Sequence, residues 1–129
     1  MANTVVQRTL AGAGKSHTVV NMVHIISDGS EETDLVVYDN STLCNDVSKG
    51  SLVKIQVSGN SCTCRLEWDQ TTDSPVISFD PINNPDLDFS AFGGIRNPNG
   101  TGATGDLLLT TANLDAGDEV TIIMTIRQS

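Results

Sequence analysis

Apolar and polar residues alternate with a period of two along much of this chain, the mark of strands buried on one face. The clearest run covers residues 119–127, where Val120, Ile122, Met124 and Ile126 fall on one side and Thr121, Thr125 and Arg127 on the other. Residues 62–69 repeat the pattern, with Cys62, Cys64, Leu66 and Trp68 opposite Thr63, Arg65, Glu67 and Asp69. Residues 52–58 do so again, with Val53, Ile55 and Val57 opposing Lys54 and Gln56. Runs rich in β-branched residues predict further strands over 4–10, 17–27, 33–38, 76–79 and 106–111, the second of them long enough for one strand or two with a bulge.

Turn residues separate these runs. Ala11-Gly12-Ala13-Gly14 and Asp28-Gly29-Ser30 break the chain, and Gly59-Asn60 predicts a hairpin because both residues tolerate positive φ. Helix formers are concentrated nowhere; a single turn over 42–47 or near Asp115 is the most that is expected. The reading is an all-β chain of about seven to eight strands, arranged as an antiparallel β-sandwich or a jelly-roll-like fold. Residues 80–105 break the rhythm. They are rich in Gly, Pro and Asn yet carry Phe89, Phe92 and Ile95, which predicts a long loop that is nevertheless ordered.

Length and composition narrow the class. A chain of 129 residues fits one domain, with residues 1–10 as an edge strand or an N-terminal arm. A domain of that size needs no disulfide or metal staple. The hydrophobic share is 38% but the aromatic share only 4%, so the core is expected to be aliphatic and thin. A formal net charge of -9 argues against direct contact with nucleic acid or an anionic membrane surface. Met1 to Leu10 lacks the basic and apolar regions of a signal peptide, which predicts synthesis in a cytoplasm. An odd cysteine count of 3 fits that compartment.

Several constellations invite a chemical reading. Gly14-Lys15-Ser16 ends like a phosphate-binding loop, but the first glycine that motif requires falls on Thr9 and a strand-like run follows. Cys62 and Cys64, with Cys44, His17 and His24, lack zinc-ligand spacing; Cys-x-Cys places two small apolar side chains on one strand face. Asp80, Asp86, Asp88 and Asp106 lack the spacing of a calcium loop and read as turn-forming carboxylates. Paired carboxylates for glycoside cleavage need an aromatic-lined cleft, and the chain has one Trp, one Tyr and three Phe. Trp68 reads as a core anchor, with an interface anchor as the alternative. The sequence therefore predicts no enzyme, no catalytic residue, no cofactor and no metal ligand.

The segment Asp88-Phe-Ser-Ala-Phe-Gly-Gly-Ile-Arg-Asn-Pro-Asn-Gly-Thr-Gly-Ala-Thr-Gly-Asp-Leu-Leu-Leu-Thr-Thr111 resembles small virion structural proteins of tailed bacteriophages. The opening Met-Ala-Asn-Thr-Val, the mid-chain Leu66-Glu-Trp-Asp69 and the final apolar strand extend the resemblance over most of the chain. The Gly-rich stretch with Lys15 and residues 27–50 depart from the pattern. The resemblance implies a capsid decoration, or cement, protein on the virion surface, assembled in the host cytoplasm. Its implied partner is the phage major capsid protein, and its implied state a homotrimer or homodimer. A neck, tail or head-fibre part stays open as an alternative, as does a ligand-binding sandwich module. The expected contacts are Val5 and Val6 on the N-terminal strand, and Phe89, Phe92, Gly93, Gly94, Ile95 and Arg96 on the long loop, with the two glycines allowing close backbone approach.

Overall fold

The computed structural model describes residues 3–11, 18–40, 50–83 and 85–127. Among these lie ten strands: β1 (Thr4–Ala11), β2 (Thr18–Ile26), β3 (Leu35–Tyr38), β4 (Ser51–Gly59), β5 (Thr63–Trp68), β6 (Ser74–Phe79), β7 (Asp86–Asp88), β8 (Ile95–Arg96), β9 (Leu107–Ala112) and β10 (Glu119–Arg127). Each segment expected from the sequence contains one. The additional pair, β7 and β8, lies inside the stretch read as a loop, and each is too short to show a period. The segments holding His17, Cys44, the Gly-Lys-Ser triplet and residues 42–47 fall outside the described residues.

Six strands form one sheet in the order β1-β2-β10-β4-β7, with β8 also paired to β4, and four form a second in the order β3-β9-β5-β6. All pairings are antiparallel. The fold is an all-β sandwich, and the period-two pattern explains why. Val19, Val23 and Ile25 of β2, Ile55 and Val57 of β4, and Val120 to Ile126 at every second position of β10 turn inward. They meet Cys64, Leu66 and Trp68 of β5 and Leu107 and Leu109 of β9 in one continuous buried cluster. Trp68, 1% exposed, is a core residue, as its place in the alternation predicts. Gly50 (φ +119) lies against its ring, where an added Cβ would stand 3.3 Å from Cη2.

Two local expectations are corrected. Val53 does not belong to the inward stripe of β4. The register of β4 against β10 slips there, so that Thr125 faces Lys54 while Ile126 faces Leu52. Val53 is the extra residue of a β-bulge, and Leu52, fully buried, takes the inward place. Gly59-Asn60 does not close a hairpin either, because β4 and β5 belong to different sheets. It is the corner where the chain changes sheet. Asn60 clamps that corner to the start of β10: its N–H donates to the Glu119 carbonyl at 3.0 Å and its Oδ1 accepts from the Glu119 N–H at 2.9 Å.

The Gly-rich residues 97–105 are stitched to the β5–β6 turn. Thr71 N–H donates to the Thr101 carbonyl (2.9 Å), Thr104 N–H to the Asp69 carbonyl (3.1 Å) and Gly100 N–H to Gln70 Oε1 (3.0 Å). Asp106 closes the stitch by accepting from the Asn40 N–H at 2.7 Å. Burial raises its carboxyl above the usual aspartate range, outweighing that hydrogen bond. The native state therefore holds this proton more tightly than the unfolded chain. The stabilisation is present below the ordinary aspartate value and is lost as pH rises through the raised one. Asp106→Asn should accordingly look better relative to wild type at pH 7 than at pH 4 in urea titrations; a pH-independent difference would contradict the burial argument.

Candidate functional site

The tip that follows β7 is built by short-range hydrogen bonds. Phe89 N–H donates to the Val53 carbonyl at 2.7 Å, anchoring the segment on the β4 bulge. Asp88 Oδ1 accepts from the Ser90 N–H at 2.8 Å, and hydrogen bonding to Ser90 holds the Asp88 carboxyl below its ordinary range. One 3-10 turn, Ser90–Phe92, follows and ends at Gly93, whose φ of 85° only glycine adopts without strain. Gly94 N–H returns to the Phe89 carbonyl at 2.9 Å. The turn throws Phe92 outward. It is 68% exposed, the most exposed large apolar side chain among the described residues, and its ring leans at 47° on Phe89, 6.2 Å away.

The expected contact residues divide into two groups. Phe92, Gly93 and Arg96 form the outer rim. Phe89 is half-buried against the core, and Ile95 is half-buried in β8 opposite Leu52. Gly94 serves a close approach within the chain itself: a Cβ there would lie 2.9 Å from the Leu52 carbonyl oxygen. Nothing lies within 4 Å of the corresponding point on Gly93.

The N-terminal strand divides the same way. Val5 packs against the core, whereas Val6 is 50% exposed on the outer face. β1 is an edge strand, paired to β2 on one side only. The remaining edges are guarded, by Pro75 and a register slip on β6, by a slip on β3, and by the shortness of β7 and β8. Among the described residues β1 is the longest edge strand, and it pairs in register from Thr4 to Thr9 before slipping at Ala11. Beside it a groove of about 180 Å³ opens toward β3, lined by Gln7, Thr9, Asn21, Val36, Val37 and Asp39. Asn21 bridges the sheets at its floor, donating from Nδ2 to the Val37 carbonyl at 3.2 Å.

The groups weighed for chemistry are spread apart. Cys62 and Cys64 are free, buried and 3.6 Å apart at sulfur. The hydrogen bond shared with Cys62, and then burial, push the Cys64 thiol far up and hold it in the neutral form near pH 7. His24, the described histidine, stands on the outer face of the other sheet. Asp80 caps its own turn through the Ile82 N–H at 2.8 Å and Asp88 caps its turn through the Ser90 N–H, whereas Asp106 accepts from the distant Asn40 N–H.

Sequence spacing missed two clusters that only the fold brings together. Asp34, Glu67 and Asp73 place carboxylate oxygens within 4.8 Å of one another on the outer face of the smaller sheet. Each is served by the chain's own donors: Thr110 Oγ1 for Asp34, Arg65 Nε for Glu67 at 3.4 Å, and the Gln70 N–H for Asp73 at 3.2 Å. On the larger sheet, His24 Nδ1 lies 2.8 Å from Thr121 Oγ1 and Nε2 lies 3.3 Å from Glu119 Oε1. The order hydroxyl, imidazole, carboxylate is that of a catalytic triad. The setting differs: β10 is paired on both sides, so backbone N–H groups beside Thr121 are spent in the ladder and none points at a developing oxyanion. The trio is read as a cross-strand network that fastens β2 to β10.

No family model, no curated protein and no solved structure matches the chain.

Proposed function

We propose that this protein is a non-enzymatic virion component that decorates and stabilises a tailed-phage capsid by binding the major capsid protein. The observation that carries the reading is the Phe92 tip. The segment with the most specific resemblance to phage structural proteins, residues 88–111, is also the one that holds an exposed aromatic ring on a pinned turn. Pinning limits the ordering entropy lost on binding, which suits an anchor. Many such contacts repeated over a shell add up through avidity. The β1 edge supports the reading in a second way, since it offers strand addition to a neighbour.

Purified protein added to undecorated shells tests this. Wild type should saturate the shells, and Phe92→Ala should bind about tenfold more weakly or worse while melting at the wild-type temperature. Equal binding by the variant removes the tip from the interface. Absence of wild-type binding removes the shell reading. Copy number per particle separates the neck or tail alternative, which needs only the copies of a ring.

A further inference from the structure

Two local demands of the fold meet at residues 99 and 100. Asn99 sits at φ +53°, in the left-handed region that asparagine tolerates better than most side chains. Gly100 has an ordinary backbone but lies against the Gln70 side chain, where an added Cβ would stand 2.7 Å from Oε1 and 2.9 Å from Cδ and Nε2. The turn therefore favours asparagine, and the contact excludes any side chain after it. Together they write Asn-Gly, and Asn99 is the one asparagine of the chain followed by glycine.

That pairing exposes a reactive carbonyl to a close nucleophile. A backbone nitrogen reaches the side-chain carbon of the preceding asparagine most readily when its own residue has no side chain in the way. Asn99 is exposed, and among the described residues its hydrogen bonding is confined to its N–H, which donates to Asn97 Oδ1 at 2.9 Å. The nucleophile, by contrast, is restrained. Gly100 N–H donates to Gln70 Oε1 at 3.0 Å. Gln70 is itself held at two further points: Nε2 donates to the Thr72 carbonyl at 3.0 Å, and its N–H donates to Asp73 Oδ1 at 3.2 Å. Attack on Asn99 Cγ requires the Gly100 nitrogen to shed its proton and turn, which breaks the bond to Gln70.

We infer that Asn99 is a site of spontaneous deamidation, and that Gln70 restrains it in the folded chain. The Gly100 nitrogen, deprotonated by hydroxide, bonds to Asn99 Cγ. The bond from Cγ to the side-chain nitrogen breaks, and ammonia leaves with a proton taken from water. Water then opens the cyclic imide at either carbonyl, leaving aspartate or isoaspartate; nothing is oxidised or reduced. Either product adds a negative charge to a chain whose formal net charge is already -9. Isoaspartate also routes the main chain through Cβ, lengthening it before Gly100. The bonds from Gly100 to Gln70 and from Thr71 to the Thr101 carbonyl then cannot both keep their register. The change is one-way, so it records the time this loop has spent unstitched. It concerns the chain itself and does not rest on the shell reading.

Peptide mapping by mass spectrometry reads it, since the exchange of NH2 for OH changes the mass and the two products separate. Wild type, Gln70→Ala and Gln70→Glu are held in mildly alkaline buffer well below their melting temperatures, and in parallel in denaturing guanidinium chloride. Native Gln70→Ala should convert at Asn99 about fivefold faster than native wild type, the factor for one lost net hydrogen bond. Gln70→Glu keeps an acceptor oxygen for Gly100 N–H and should stay near the wild-type rate, which separates this bond from general loosening of the loop. The denatured chains should all convert alike and faster than native wild type. Conversion first at another asparagine, or none at Asn99 in the denatured chain, overturns the site. Native wild type converting as fast as denatured, Gln70→Ala at the wild-type rate, or Gln70→Glu as fast as Gln70→Ala overturns the restraint.

Discussion

Trp68→Ala should destabilise the fold by about 4 kcal/mol, a large share of the stability of a domain this size. The indole is the largest of the fully buried side chains and joins the far end of β5 to the 50–52 corner of β4. Its neighbours cannot close the void, since Gly50 has no side chain to move in and Leu52 and Leu107 are themselves fully buried in strands. Trp68→Phe makes a sharper comparison. The indole Nε1 is buried without a hydrogen-bond partner among the described residues. Phenylalanine removes that unpaired donor along with some contacts, so the two effects offset and the loss should fall well under half that of alanine. Urea titration of both variants checks this. An alanine variant losing less than about 1.5 kcal/mol would show that the site collapses freely.

Gly59→Ala should be nearly as damaging, at about 3 kcal/mol or more, although it adds a single methyl group. Gly59 sits at φ +134°, a region L side chains rarely adopt, and a Cβ there runs into the Glu119 carbonyl oxygen and lies 2.9 Å from Val120 Cα. Both obstacles are backbone of the central strand β10, held in the ladder to β2 and clamped by Asn60. Neither can give way without opening the corner between the sheets. Gly93→Ala is the matched control. Its φ is also positive, at +85°, but nothing stands within 4 Å, so only the left-handed backbone term of about 1–2 kcal/mol applies. Equal losses at the two positions would refute the steric account.

How legible was this molecule in its sequence? The strands of the core were, because burial on one face writes itself as alternation; β5 and β10 could be read side chain by side chain. Val53 misled because a bulge adds a residue without altering local composition, and it shows only when Thr125 and Ile126 are set against their partners. Gly59-Asn60 misled because positive φ signals a sharp turn but not which sheet the next strand joins. The strands β7 and β8 were invisible because two or three residues carry no period. Of the expected contact set, Phe92 and Val6 are outward and Phe89, Gly94 and Ile95 serve the chain itself. Exposure of a Phe in a Gly-rich segment depends on a hydrogen-bonded turn that composition does not encode. The nearness of Arg96 to Arg127 was hidden for the same reason: they are 31 positions apart in the numbering and meet only through Ser51.

The place of β10 bears on how the chain is made. It follows the other nine strands in the chain, yet it occupies the middle of the larger sheet, between β2 and β4. During translation β2 and β4 leave the ribosome long before the strand that separates them. Until then each carries an uncovered row of Val, Ile and Leu side chains and an unpaired backbone edge. Two such strands pairing with each other would be a plausible-looking error, one that the arrival of residues 119–127 has to undo. A chain that ends near Gly117 lacks the one strand that joins β1-β2 to β4-β7 in a single sheet.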